Sequence, residues 1–265
     1  MSLSSRANWV FPLNFRHGIW PLCLKVLRRE ANGWQVELIA VLATPLTFFL
    51  AFGLGLSSYM ERVDGVSYVA FVTPGLISMT ILLEGYRMGA WGMWLDRWYQ
   101  GMLDEYRIKP ISTWDIVIGE ILGGFIISLI RGGVVALLLM LLSGLQWEWH
   151  HWIPYLVFMF SGSILFASFG TIVGTHFSKP DHIAQTQTIL ITPLLYLGGV
   201  FFPLSVFPES LRRFVELLPT TAVFEGGRQA LLDGHWNWQA LAVVVLSAAI
   251  AFPLATWMFD KKLSE

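Results

Sequence analysis

Runs of apolar residues long enough to cross a bilayer set the first limit on this chain. Residues 116–145, IVIGEILGGFIISLIRGGVVALLLMLLSGL, carry only Glu120 and Arg131 as charges, and about 20 apolar residues span a hydrocarbon core of roughly 30 Å. Backbone groups find no water in that core, so a run of this kind must be helical. Comparable runs lie at 38–58, 66–95, 153–177, 188–202 and 240–259. The chain has 265 residues, of which 55% are hydrophobic and 13% charged, whereas soluble domains carry about 25% charged residues. The sequence therefore predicts an all-α, polytopic membrane protein with six transmembrane helices in one membrane domain.

Lysine and arginine counts predict the orientation. With the N-terminus inside, Arg6, Arg16, Lys25, Arg28, Arg29, Arg97, Arg107, Lys109, Lys179, Lys261 and Lys262 fall inside, and only Arg62, Arg212, Arg213 and Arg228 fall outside. That excess places both termini in the cytoplasm. Trp147, Trp149, Trp152, Trp236 and Trp238 then mark the outer boundary, and Trp91, Trp94, Trp98 and Trp114 the inner one, as aromatic belts. Residues 1–36 read as a cytoplasmic N-terminal segment with no cleavable signal peptide. Within it Trp20, Leu24, Leu27 and Ala31 recur at helical spacing while Lys25, Arg28 and Arg29 take other faces, the pattern of an amphipathic helix lying at the membrane interface. Residues 37–265 form the membrane domain. Its stretch 204–234 is too broken by proline to span and too apolar for an open loop, so it reads as short re-entrant outer helices between the fifth and sixth spans, their backbone covered by protein.

The sequence removes several function classes. A net charge of −1 leaves no basic surplus for nucleic acid. No GxxxxGK[ST] loop occurs, so the chain is not itself a P-loop ATPase. The pairs His150 with His151 and His176 with His182 match no helical HExxH or Cys/His zinc spacing and read as surface or interfacial histidines. Cys23 is the single cysteine, which rules out an intrachain disulfide framework. No GxSxG elbow is present. A membrane-embedded enzyme would need a clustered nucleophile, base or metal set, and none is evident.

Two features remain that carry chemistry. Glu84 and Arg87 interrupt the second span at i, i+3, and Arg131 sits deep in the third. A charge at a bilayer centre costs about 2.5 to 3.5 kcal/mol on insertion scales, so none of the three is expected to face lipid. They form either an internal ion-pair cluster or the lining of a wet pathway. In the loop at 96–110, Leu95, Trp98, Met102 and Tyr106 fall at spacings of three and four with Leu103 beside them, giving a short amphipathic helix. Such a helix either rests on lipid or inserts its apolar ridge into a partner's groove. Glycine pairs at four-residue spacing, Gly85 with Gly89, Gly119 with Gly123 and Gly170 with Gly174, predict close helix packing.

The segments TPGLISMT, YQGMLDEYRIKPISTWDIVIGE, ITPLLYLGGVFFPLSVFP and LLPTTAVFEGGRQALLDG, in that order, resemble the permease subunits of type-2 ABC exporters. Among these the chain looks closest to the nodulation-factor (lipo-oligosaccharide) exporter permeases. The late family motif is met by Ile191, Leu194, Leu197, Gly198, Val200, Pro208, Pro219, Thr220 and Arg228, with departures at Phe207 and Ala222. The resemblance implies a homodimer in the bacterial cytoplasmic (inner) membrane, working with two copies of a separate ATP-binding subunit. That subunit would bind ATP and Mg, and this chain would bind no cofactor. The resemblance also makes 96–110 the coupling helix, with Leu95, Trp98, Met102, Leu103 and Tyr106 as its contacts. Pro203, Pro208, Pro219 and Arg228 then belong to the re-entrant exit segment. The implied cargo is an amphipathic glycolipid, lipo-oligosaccharide or polysaccharide, with export of a drug or hydrophobic natural product as the alternative; a membrane anchor without transport would have no need of buried charges.

Overall fold

The computed structural model describes residues 18–55, 62–63, 65–99, 101–102, 106 and 111–264. Helix α1 covers Trp20–Ala31, and α2 covers Trp34–Phe48 before widening into a π-helical turn at Phe49–Leu54. Strands β1 (Arg62–Val63) and β2 (Val66–Ser67) make a two-stranded antiparallel hairpin that feeds α3, Tyr68–Trp94. The Ser67 hydroxyl accepts from the Ala70 amide at 3.3 Å and caps α3. A π-helical turn, Leu95–Tyr99, continues α3 at its far end. Helix α4, Thr113–Ser143, starts in a capping box formed by Ser112 and Asp115 and stops at Gly144, whose φ of 69° is left-handed. Helix α5 is Trp152–His176, and α6 (Pro180–Thr186), a π-helical turn (Gln187–Ile191) and α7 (Thr192–Leu197) follow as one helical run. Helices α8 (Glu209–Glu216), α9 (Pro219–Asp233) and α10 (Trp238–Ser264) complete the chain.

Five stretches among the described residues are long and apolar enough to cross a membrane: Trp34–Leu54, Tyr68–Tyr99, Thr113–Ser143, Trp149–His176 and Trp238–Leu263. These match five of the six expected spans. The run expected at 188–202 is helical only to Leu197 and is preceded, within the same helical run, by Asp181, His182, Gln185 and Gln187. Those polar side chains keep it short of a full apolar span.

Helix α3 is the axis of the bundle. It is buried along most of its length and packs against α4, α5 and α9, while α10 backs α5 and α1 lies on α4. Glycine makes the α3 to α5 crossing possible. A Cβ at Gly89 would collide with the Ala167 carbonyl, one at Gly170 with the Tyr86 carbonyl, and one at Gly174 with the Ala90 carbonyl. The outward faces show the opposite character: Val36, Ile39, Leu141 and Ile250 are each more than two-thirds exposed, as lipid-facing positions should be.

This crossing generates a paired prediction. Overpacking a tight contact costs about 1 to 3 kcal/mol, and more where backbone must move. Gly174→Leu is therefore expected to abolish the monodisperse peak in detergent size-exclusion chromatography. Gly133→Leu, where an added Cβ meets nothing within 4 Å, is expected to leave that peak unchanged.

Candidate functional site

Charged side chains from α1, α2, α3 and α4 converge into two linked clusters. In the first, Arg131 of α4 reaches Glu84 of α3 through one guanidinium nitrogen and Glu30 of α1 at 2.9 Å through another. Arg87 holds both carboxylate oxygens of Glu84 at 3.1 Å, the bidentate arrangement that a planar guanidinium favours. It also meets Glu37 of α2 at 2.9 Å. In the second cluster Lys25 of α1 is hydrogen-bonded to Asp96, in the turn after α3, and lies 3.3 Å from Glu120 of α4. Arg29 of α1 contacts Glu120 at 2.9 Å. The Tyr106 hydroxyl donates to Asp96 at 2.9 Å and accepts from Lys25 at 3.0 Å. Arg29 touches Glu30 at 3.4 Å and so joins the clusters.

Four cations, Lys25, Arg29, Arg87 and Arg131, thus face five carboxylates, Glu30, Glu37, Glu84, Asp96 and Glu120. The near balance explains how Glu120, 2% exposed, and Arg131, 7% exposed, are accommodated: a buried charge is tolerated when paired and hydrogen-bonded. Burial alone would lower the Lys25 pKa, but Glu120 and Asp96 outweigh it and hold the ammonium above its ordinary range. Burial and the Asp96 charge raise the Tyr106 phenol, so it stays a neutral donor. Backbone spacing prepares the second cluster. A Cβ at Gly92 would collide with the Glu120 carboxylate, and Gly119 and Gly123 seat α1, where added Cβ atoms would lie 2.6 Å from Leu22 Cβ and 2.7 Å from Val26 Cβ.

The sequence-predicted residues sort as follows. Glu84, Arg87 and Arg131 do come together. Spacing does not reveal Glu30 and Glu37 as their partners, nor the second cluster of Lys25, Arg29, Asp96 and Glu120; Glu120, one of two charges in the apolar run 116–145, is the available signal. Helix α1 has a second apolar face besides the expected stripe. Its face of Leu22, Cys23 and Val26 is buried on α4, whereas Trp20 and Ala31 are exposed and Leu24 and Leu27 half-buried. Lys25 and Arg29 point into the bundle, leaving Arg28 exposed.

The turn after α3 also differs from expectation. Trp98 is 45% exposed and Tyr99 77% exposed, but Tyr106 is 3% exposed and packs with Leu22, Met93 and Ile116. Its hydroxyl has partners inside the bundle, which is why spacing alone misplaced it on the outer ridge. Leu95 is half-buried and Met102 packs against that same apolar cluster. Leu103 lies outside the described residues, as do 1–17 and most of 103–110. At the opposite end of the bundle, Arg228 of α9 donates to the carbonyls of Phe71, at 3.0 Å, and Gly199, and its guanidinium lies 3.7 Å from the Phe71 ring centroid. Tyr68 donates to the Phe201 carbonyl at 3.0 Å. Pro203 is buried ahead of a 3-10 turn, Leu204–Val206; Pro208 caps α8 and Pro219 opens α9.

Beside the first cluster lies a cleft of about 180 Å³ between α2, α3 and Gln187, lined among others by Glu37, Thr44, Thr80, Glu84 and Arg87. Glu37 is 40% exposed and Arg87 26%, so this is the more exposed edge of the network, while Glu84 and Arg131 are each only 7% exposed.

The sequence model of the ABC-2 type transporter family matches residues 19–232, a range that includes both clusters, the turn at Trp98 and α9. Inner membrane transport permease YadH of Escherichia coli (strain K12) is 28% identical over 210 residues, 78% of this chain and 80% of that protein. Nodulation protein J of Sinorhizobium fredii (strain NBRC 101917 / NGR234) is 26% identical over 250 residues, covering 91% and 93% of the two chains. Nodulation protein J of Rhizobium leguminosarum bv. viciae is 29% identical over 245 residues, covering 87% and 90%.

The clusters make a specific demand on stability. Removing one partner of a buried pair strands the other, at a cost of about 3 to 5 kcal/mol, whereas neutralising both is far milder. Arg131→Met is expected to lower the thermal unfolding midpoint in nanodiscs sharply. Adding Glu84→Gln to it is expected to restore at least half of the loss.

Proposed function

The chain belongs to the ABC-2 type transporter family, and from that premise we propose that it is the membrane-spanning permease subunit of an ATP-driven exporter, working as a homodimer with two copies of a separate ATPase. The observation that carries this reading is the match of the family over residues 19–232, on a helical bundle with five apolar, span-length helices. In this reading α6 and α7 supply the remaining crossing as a short, partly polar span, both termini are cytoplasmic, and α8 and α9 re-enter from the outer side. The aromatic turn at Trp98 and Tyr99 is the docking ridge for the ATPase, because those two rings are exposed while Met102 and Tyr106 face the bundle.

The cargo is an amphipathic glycolipid, lipo-oligosaccharide or polysaccharide. Two features support it: the motif resemblance to nodulation-factor exporter permeases, and the polar cleft edged by Glu37, Arg87, Thr44 and Thr80, which offers both donors and acceptors to hydroxyl groups. Docking an ATPase at one end and closing the other with α9 fits a two-state permease whose equilibrium is biased by ATP bound on the partner subunit.

The docking ridge gives the test. With the permease and its ATPase co-expressed, Trp98→Asp with Tyr99→Asp is expected to cut co-purification of the ATPase at least tenfold, while the permease alone stays monodisperse. Undiminished co-purification would remove the ridge from this account, and failure of the parent pair to associate or hydrolyse ATP in lipid would remove the exporter reading itself.

A further inference from the structure

The connection between α4 and α5 carries Glu148, His150 and His151 within four residues. It lies at the end of the bundle opposite Glu120, since α4 runs from Thr113, past Glu120, to Ser143. All three side chains stand apart from the two ion-pair clusters. Their spacing along the chain matches no common zinc motif, yet the fold groups them. One ligand atom from each residue lies within 4.8 Å of the others, and the two imidazole rings meet edge to face with centroids 4.5 Å apart.

We propose that Glu148, His150 and His151 form a binding site for a divalent transition-metal ion of the zinc class, and that the bound ion braces this connection against the end of α9. The site requires neither an ATPase nor a particular cargo.

Three observations support it. First, the donor set has the right chemistry. Imidazole nitrogens with a carboxylate suit zinc, nickel or copper, whereas magnesium and calcium take oxygen ligands. Zinc bonds of about 2.0 to 2.2 Å set the ligand atoms of a tetrahedral site about 3.3 Å apart. Oε2 of Glu148 and Nδ1 of His150 already stand 3.3 Å apart. The remaining gap closes by side-chain rotation, to which Glu148, 72% exposed, and His150, 51% exposed, are open.

Second, His151 is held as a ligand histidine is held. Its Nδ1 lies 3.1 Å from the Leu231 carbonyl oxygen. A carbonyl only accepts, so Nδ1 carries the proton and the lone pair is left on Nε2. Metal-bound histidines commonly donate their other ring N–H to a backbone carbonyl, which fixes tautomer and ring orientation. Gly234 leaves room beside that nitrogen, where an added Cβ would lie 2.8 Å from Nε2.

Third, the anchor of His151 belongs to another element. Leu231 is in the last turn of α9, while Glu148 and His150 belong to the connection that precedes α5. An ion shared by the three side chains therefore ties that connection to α9 through His151, with water completing the tetrahedron.

The test uses the full chain, purified without a polyhistidine tag, stripped with chelator and placed in phosphatidylcholine nanodiscs, with empty discs as the blank. The probe is zinc chloride, followed by titration calorimetry and by thermal unfolding. The parent is expected to bind one zinc per chain and to gain about 2 °C or more in its unfolding midpoint. Glu148→Gln with His150→Ala is expected to weaken binding at least tenfold and to abolish the gain, with the metal-free midpoint unchanged. His151→Gln is expected to do the same to binding and serves as the second arm if the double variant does not fold. His176→Ala with His182→Ala, at the other end of α5, is expected to leave binding as in the parent.

Absence of saturable binding by the parent overturns the site. So does binding in the Glu148 and His150 double variant within tenfold of the parent, or loss of binding on removing His176 and His182, which would put the ion at the other end. Half an ion per chain would place it between two copies and overturns the site as well. One ion bound per chain without any rise in the midpoint overturns the brace.

Discussion

Charge pairing across α1, α3 and α4 is the constraint from which the rest of this architecture follows. A bundle that must shelter Glu84, Asp96, Glu120 and Arg131 beside apolar side chains can do so only if opposite charges arrive from other helices at hydrogen-bonding distance. Three elements are thereby held in one register: α1 by Lys25, Arg29 and Glu30, α3 and the turn after it by Glu84, Arg87 and Asp96, α4 by Glu120 and Arg131. The paired charges reinforce the rotation that packing selects, because a turn of any one helix would strand a carboxylate or a guanidinium.

Small residues make that pairing geometrically possible. Lipid gives helices no hydrophobic reason to associate with one another, so close backbone approach has to supply the attraction. Glycines on α3 and α5 bring those helices into near-backbone contact, and Gly119 and Gly123 do the same for α1 on α4. Gly92 leaves the space where the carboxylate of Glu120 meets Arg29. Packing and electrostatics therefore act at the same places. The opposite end is closed by different means, with Arg228 bridging the carbonyls of Phe71 and Gly199 and stacking on the Phe71 ring.

Much of this was legible in the sequence, for a physical reason. Long apolar runs have one stable conformation in lipid, so five of the six expected spans followed from length and composition, and the interruption by Glu84 and Arg87 marked charges kept from lipid, as an ion pair or as a pathway lining. The remainder depended on distant partners. Helix α1 has two apolar stripes, Trp20 with Leu24 and Leu27, and Leu22 with Cys23 and Val26, and both satisfy helical spacing. What selects the second is the glycine seam on α4, nearly a hundred positions away in sequence, which no local pattern contains. Tyr106 sits at the spacing of an exposed ridge, but its hydroxyl is claimed by Asp96 and Lys25. The run at 188–202 is helical only to Leu197, and the helix that contains it begins before the run in polar residues, so it falls short of a full apolar span.

Amide hydrogen exchange of α1 in nanodiscs tests the central claim most directly. A helix locked onto α4 by buried ion pairs opens only with the bundle, so the amides from about Val26 to Ala31 are expected to exchange as slowly as those of the Glu120 region of α4. High salt is expected to change this little, because buried pairs are weakly screened. Exchange of α1 within seconds, or its release by salt while α4 stays protected, would contradict the account and return α1 to the role of a helix resting on the membrane surface.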